Sequence, residues 1–153
     1  MALQFVTKES LSRIDESTGQ VSRDGTKTAL LLLPYDIGFI AGYNDLYVAE
    51  KVAVKTYGAM VMCRTGTFVG IVGYLDSPPL GNTIIDIEKS GPGIVGASIF
   101  STKPQFTQTN NLTAGVLSTT TFASGNQIRF KVTTLGNVSQ PGSGMRVILK
   151  CKV

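Results

Sequence analysis

Asp86 and Glu88 lie two residues apart in Ile84-Ile85-Asp86-Ile87-Glu88-Lys89. On a strand that spacing puts both carboxylates on one face, the arrangement from which a glycosidase-like acid/base pair is built. No second constellation flanks them and Lys89 supplies countercharge, so a solvated strand face is the simpler reading. The chain contains no histidine. It therefore lacks the usual general base near neutral pH and the commonest transition-metal ligand, and no Ser-His-Asp or Cys-His arrangement can form within it. Gly91-Pro92-Gly93-Ile94-Val95-Gly96 echoes a Gly-x-Gly-x-x-Gly loop. A phosphate cradle needs a helix N-terminus behind it, whereas Ser98-Ile99-Phe100-Ser101 reads as a strand, so a long hairpin loop is expected. Gly142-Ser143-Gly144 lacks the lysine and helix of a P-loop and reads as the bend before a final strand. Asp76 before Pro78-Pro79 and Asp45 beside Asn44 are turn chemistry; neither has the alternating oxygen ligands of a calcium loop. No catalytic residue, cofactor or metal site is predicted.

Cys63 and Cys151 lie far apart in sequence and have no second pair with which to make a metal cage. Both follow apolar, strand-like runs, Met60-Val61-Met62 and Val147-Ile148-Leu149-Lys150, so each is expected to be a small buried hydrophobe rather than half of a disulfide.

The elements that carry these residues read as β. Hydrophobic residues make up 42% of the 153 and 17 are glycine, which fits one folded core rather than a disordered polar chain. The longest apolar run, Ala29 to Leu33, is far too short to cross a bilayer as a helix. Ile85 and Ile87 oppose Asp86 and Glu88; Ile128, Phe130 and Val132 oppose Arg129, Lys131 and Thr133; Met145, Val147, Leu149, Cys151 and Val153 oppose Arg146, Ile148, Lys150 and Lys152. This period of two marks strands with one face on a core. From Val48 onward the pattern reads as β throughout, with Gly, Pro, Asn and Ser between runs. An all-β fold follows: an antiparallel β-sandwich, jelly-roll-like, over residues 46–153, with a closed barrel as the alternative.

Residues 1–45 read as an extended N-terminal arm followed by a loop with packed aromatics. Gly19 and Gly25 discourage a long helix, Lys8 to Arg13 has room for one turn, and Ala29 to Leu33 reads as a buried or extended segment stopped by Pro34. Met1 to Glu9 shows no basic n-region, apolar h-region or small-residue cleavage site, which predicts synthesis and folding in a cytoplasm.

The formal net charge is +4, and all ten acidic residues fall at or before Glu88. Beyond it the charged side chains are Lys89, Lys103, Arg129, Lys131, Arg146, Lys150 and Lys152. They alternate with apolar residues along strands and lack interleaved aromatics. Solvated faces and edge-protecting lysines therefore outweigh nucleic-acid binding, and neither nucleic acid nor membrane is an expected partner.

One resemblance adds to this reading. In order, Gly73-Tyr74-Leu75-Asp76-Ser77-Pro78-Pro79-Leu80-Gly81, Ile84 to Gly91, Ser98-Ile99-Phe100-Ser101-Thr102-Lys103-Pro104, Phe122-Ala123-Ser124-Gly125 running into Asn126 to Val132, and Pro141 to Gly144 before the last strand resemble a β-sandwich domain of tailed-bacteriophage virion proteins. The similarity spans roughly Phe68 to Val153. Two departures stand out: Pro92 to Ala97 lengthens the loop before Ser98, and Asn126 stands where an aspartate often follows the turn glycine. The resemblance implies a capsid decoration, or cement, protein on the virion surface. It would bind the major capsid protein as a homotrimer through Leu3, Phe5 and Val6 of the arm and Tyr35, Phe39 and Tyr43 of the loop. A fibre module that binds receptor or carbohydrate, with an aromatic pocket around Tyr43 and Tyr47, is the alternative.

Overall fold

The inward-outward alternation of the last strand organises the molecule: Met145, Val147, Leu149 and Cys151 are buried while Arg146, Ile148, Lys150 and Lys152 are exposed. The computed structural model describes residues 34–91 and 95–153, together with the backbone of 14–15, 20–23 and 27–30. The chain divides into two units, Met1–Leu33 and Pro34–Val153. In the first, β1 (Ile14–Asp15), β2 (Gln20–Arg23) and β3 (Lys27–Leu30) form an antiparallel meander. Leu3, Phe5 and Val6 and the one-turn segment Lys8 to Arg13 lie outside the described residues, as does the end of the apolar run beyond Leu30.

The second unit holds β4 (Ile37–Ala41), β5 (Lys55–Val61), β6 (Gly66–Ser77), β7 (Asn82–Ser90), β8 (Ala97–Ser98), β9 (Phe100–Thr102), β10 (Gln105–Thr107), β11 (Leu112–Thr113), β12 (Val116–Leu117), β13 (Thr121–Phe122), β14 (Gln127–Leu135) and β15 (Ser143–Lys152). Among the described residues there is no helix. Two antiparallel sheets face each other: one in the order β13-β6-β15-β4, the other in the order β11-β10-β7-β14-β5 with β8 added to β7. The short pair β12-β9 stands beside them. The fold is an all-β antiparallel sandwich.

The core lies between the sheets. Phe39 of β4 stacks on Phe130 of β14, with ring centroids 5.1 Å apart and planes 18° from parallel. Tyr57 tilts against the same ring at 6.3 Å. Ile71, Leu75, Met145, Val147 and Leu149 from one sheet and Ile85, Ile87, Ile128 and Val132 from the other fill the rest. Aromatic stacking adds about 0.5–1.5 kcal/mol to what area burial supplies, so this pair is a strong single tie between the layers.

Several local expectations are corrected. Residues 35–45 do not form a loop: Ile37 to Ala41 is β4, burying Ile37, Phe39 and Ala41. Phe39 is thus a core residue and not a contact anchor. Its strand was masked because the outward positions are Gly38 and Ile40, so no polar residue marks the alternation. Residues 48–54 are not a strand run; apart from isolated bridges at Ala49 and Lys51 they are irregular until β5 begins. Cys63 is exposed rather than buried, because β5 ends at Val61, Met62 just beyond it takes the inward position, and Cys63 follows on the outward side. The departure at Asn126 leaves its turn closed: Asn126 Oδ1 accepts from the Ala123 N–H at 2.9 Å, as a carboxylate would, and Gly125 takes the left-handed conformation the turn requires.

Phe130→Ala should cost about 3–5 kcal/mol in denaturant unfolding, and a loss under about 1 kcal/mol would place the sheet contact elsewhere. The cysteines give a second expected outcome. Burial first, and the Asp36 carboxylate second, push the Cys151 thiol up to about 12, whereas Cys63 faces solvent. A thiol reagent should modify one cysteine per native chain and both after unfolding, and equal native reactivity would contradict the burial of Cys151.

Candidate functional site

The three loop candidates are engaged within the fold. Phe39 is in the core. Tyr35 packs against the core edge with its hydroxyl 3.2 Å from Cys63 Sγ, a hydrogen bond that, with burial, raises the tyrosine pKa. Tyr43 donates to Asp76 Oδ2 at 2.7 Å. Arg146 grips the same carboxylate through Nη1 at 2.7 Å and Nη2 at 3.3 Å, and lies 5.1 Å over the Tyr43 ring. The Tyr43 hydroxyl first and the Arg146 guanidinium second hold the Asp76 carboxyl below its ordinary range. Gly144 makes room for this cluster: it sits at φ 63°, and a Cβ there would strike the Asp76 carboxylate.

The cluster anchors a protruding tip. Tyr43 bridges to Ala49, and Gly42 C=O accepts from the Glu50 N–H at 2.7 Å and the Gly144 N–H at 3.2 Å. Val52 N–H donates to Gly142 C=O at 3.1 Å, tying the far end of the segment to the start of β15. Between these ties Asn44 closes the loop with both backbone and side chain. Its Oδ1 accepts from the Leu46 and Val48 N–H groups, each at 3.0 Å; its C=O accepts from Tyr47 N–H at 2.9 Å; its N–H donates to Val48 C=O at 3.1 Å. The tip so held carries Leu46 and Tyr47, each 81% exposed, and Val48, 57% exposed. Tyr47 sits at φ 57°, a left-handed conformation that costs a non-glycine residue on the order of 1–3 kcal/mol and persists where surrounding bonds impose it. Three adjacent apolar side chains in water on a fixed backbone form a contact surface with little ordering entropy left to lose on binding.

Sequence reasoning named Tyr35, Phe39 and Tyr43 as anchors and Tyr47 only under the carbohydrate alternative, whereas the exposed apolar side chains of the tip are Leu46, Tyr47 and Val48. The signal was present in Asn44-Asp45-Leu46-Tyr47-Val48, a turn-forming asparagine followed by an apolar triplet.

The carboxylate pair is disposed differently from the solvated face expected. Asp86 is 2% exposed, accepting from the Ser98 hydroxyl at 2.6 Å and pairing with Lys103 at 2.8 Å. Glu88 pairs with Lys131 at 2.6 Å. Ser98 of β8, the strand paired beside β7, and the Lys103 side chain cap Asp86, so the two carboxylates are occupied as structural ion pairs. No helix follows Gly91 to Gly96; β8 does, paired back on β7 as a hairpin. Among the described residues no group of three His, Cys, Asp or Glu side chains is placed to hold a metal ion.

No protein-family model matches this chain, and neither a curated protein nor a solved structure gives a match.

The Asp76 cluster predicts a pH effect. Its folded carboxyl binds a proton less readily than the unfolded one, so its contribution is present above the ordinary value of 3.8 and is lost as pH falls through the lower folded value. The thermal-stability gap between wild type and Asp76→Asn should be widest near neutral pH and close in strong acid. A gap independent of pH would remove the charge from the account.

Proposed function

We propose that this protein is a non-catalytic binding module of the capsid-decoration type, attaching to the outer surface of a phage head and stabilising it by tying major capsid protein subunits together. The observation that carries this reading is the Leu46-Tyr47-Val48 tip, an apolar contact element stiffened by Asn44 and seated on the Tyr43-Asp76-Arg146 cluster. The ordered resemblance from Phe68 to Val153 supplies the class of partner and the jelly-roll-like connectivity. Tyrosine is enriched at the centres of interfaces, and a contact held rigid before binding keeps more of its burial energy. Several copies or contacts per particle multiply a weak tip into firm attachment. Leu3, Phe5 and Val6 belong to the same proposal as a second contact.

A largely exposed tyrosine also supports the second reading, a fibre module in which Tyr47 packs on a receptor or sugar.

Co-sedimentation with undecorated heads decides between them. Wild-type protein should bind saturably at a fixed ratio to capsid subunits, and Tyr47→Ala should weaken binding by about 2 kcal/mol, roughly thirtyfold, while unfolding as wild type does. Removing Met1 to Lys8 should preserve the fold and also weaken attachment. Folded protein that ignores heads but binds glycans or cells would replace this reading with the second.

A further inference from the structure

Apart from the two-residue β8 on β7, the two sheets have four edge strands, and three of them carry features that discourage pairing with another chain. Strands β11 and β13 are two residues long, and β5 opens with Lys55 and faces a register shift at Phe130/Lys131. Short length, lysine and bulges are the usual protections of an exposed edge. Strand β4 has none: Ile37-Gly38-Phe39-Ile40-Ala41 is uncharged, contains no proline, and pairs with β15 from Leu149↔Ile37 to Met145↔Ala41 without a shift.

The direction of its free groups follows from the ladder. Tyr35 N–H donates to Cys151 C=O at 2.9 Å, so Tyr35 and, alternating from it, Ile37, Phe39 and Ala41 turn their backbone groups toward β15. Gly38 and Ile40 turn theirs outward, and among the described residues neither has a backbone partner there. The outer face above this edge is open as well: a Cβ on Gly38 would meet nothing within 4 Å, and Ile40 is 59% exposed.

We infer that β4 pairs antiparallel with β4 of a second copy of this chain about a two-fold axis through Phe39, joining the two four-stranded sheets into one. In that register Gly38 faces Ile40 and Ile40 faces Gly38, the same residues whose N–H and C=O groups point outward. They exchange hydrogen bonds, and each large side chain meets a small one on the outer face. Ile37 faces Ala41 on the core side with the same complementarity. Asp36 faces Gly42, so no like charges are opposed, whereas an in-register parallel pairing would set Asp36 beside Asp36 and Ile40 beside Ile40. Behind the edge Ile148, register partner of both Gly38 and Val72, is exposed with Val72, so an apolar stripe runs to the junction and continues into the second copy. The pairing rests on the fold alone and is independent of capsid binding; as a two-fold contact it stands in place of the three-fold order the resemblance implies.

Sedimentation equilibrium of the full chain across concentration should give a mass rising toward twice the 16.2 kDa of one chain. Ile40→Lys, which places a charge on the edge, and Gly38→Pro, which removes an N–H that β15 does not use, should each halve that mass while keeping a β-type circular dichroism spectrum. If the proline strains the strand, the lysine variant still decides. In a Cys63→Ser background, the Gly38→Cys, Ile40→Cys double variant should form a cross-linked dimer on oxidation. A wild-type chain that stays monomeric at every concentration, or a dimer unaffected by Ile40→Lys, overturns the inference.

Discussion

The face-to-face stack of Phe39 and Phe130 is the contact on which the sandwich depends, because it joins the edge strand of one sheet to an inner strand of the other. An edge strand has neighbours on one side only, so β4 owes its position to β15 and to what its inward side chains meet. Ile37, Phe39 and Ala41 bury that side completely enough that Gly38 and Ile40 can remain open to solvent. The exposed backbone of β4 is therefore a consequence of a strand held by its core face.

The polar groups obey the same geometry. Every described buried side-chain nitrogen or oxygen has a hydrogen-bond partner. Thr83 gives its hydroxyl to Pro141 C=O at 2.7 Å, and Asp86 has a hydroxyl and an ammonium for its two oxygens. Leaving such groups unpaired would cost about 1–3 kcal/mol each. The carboxylates that look most like chemistry in the sequence are thus consumed by structure. Asp76 belongs with them: bonded to Tyr43 and Arg146, it fixes the base of a loop.

Among the described residues, what is left unsatisfied is apolar area and backbone edge. The tip at Leu46 to Val48 and the edge at Gly38 and Ile40 are different kinds of surface, one a side-chain contact on a strained turn, the other a row of hydrogen-bonding groups. They lie at opposite ends of one short stretch of chain, separated by Gly42, whose φ of 67° turns the strand into the loop. A Cβ at Gly42 would crowd Glu50 C=O at 2.6 Å, so this backbone approach is open to glycine alone.

The sequence by itself determined which residues of β14 and β15 face the core, because a period of two with charges on alternate positions admits one burial pattern. It marked the turn at Gly125-Asn126 through local turn chemistry, whereas of Gly142-Ser143-Gly144 only Gly142 precedes the last strand, Ser143 and Gly144 being its first residues. It left β4 unread, since glycine and isoleucine on the outward face give no contrast with the inward side, and only docking against β15 and Phe130 made those residues a strand. Cys63 and Asp86 were decided by tertiary structure in opposite senses. One took the outward position after the buried Met62, and the other sat on a face where Ser98 and Lys103 then capped it. The tip was present in the sequence as residues but not as a site. Its character depends on which side chains remain outside after folding, and exposure is a property of the packed chain rather than of any local pattern.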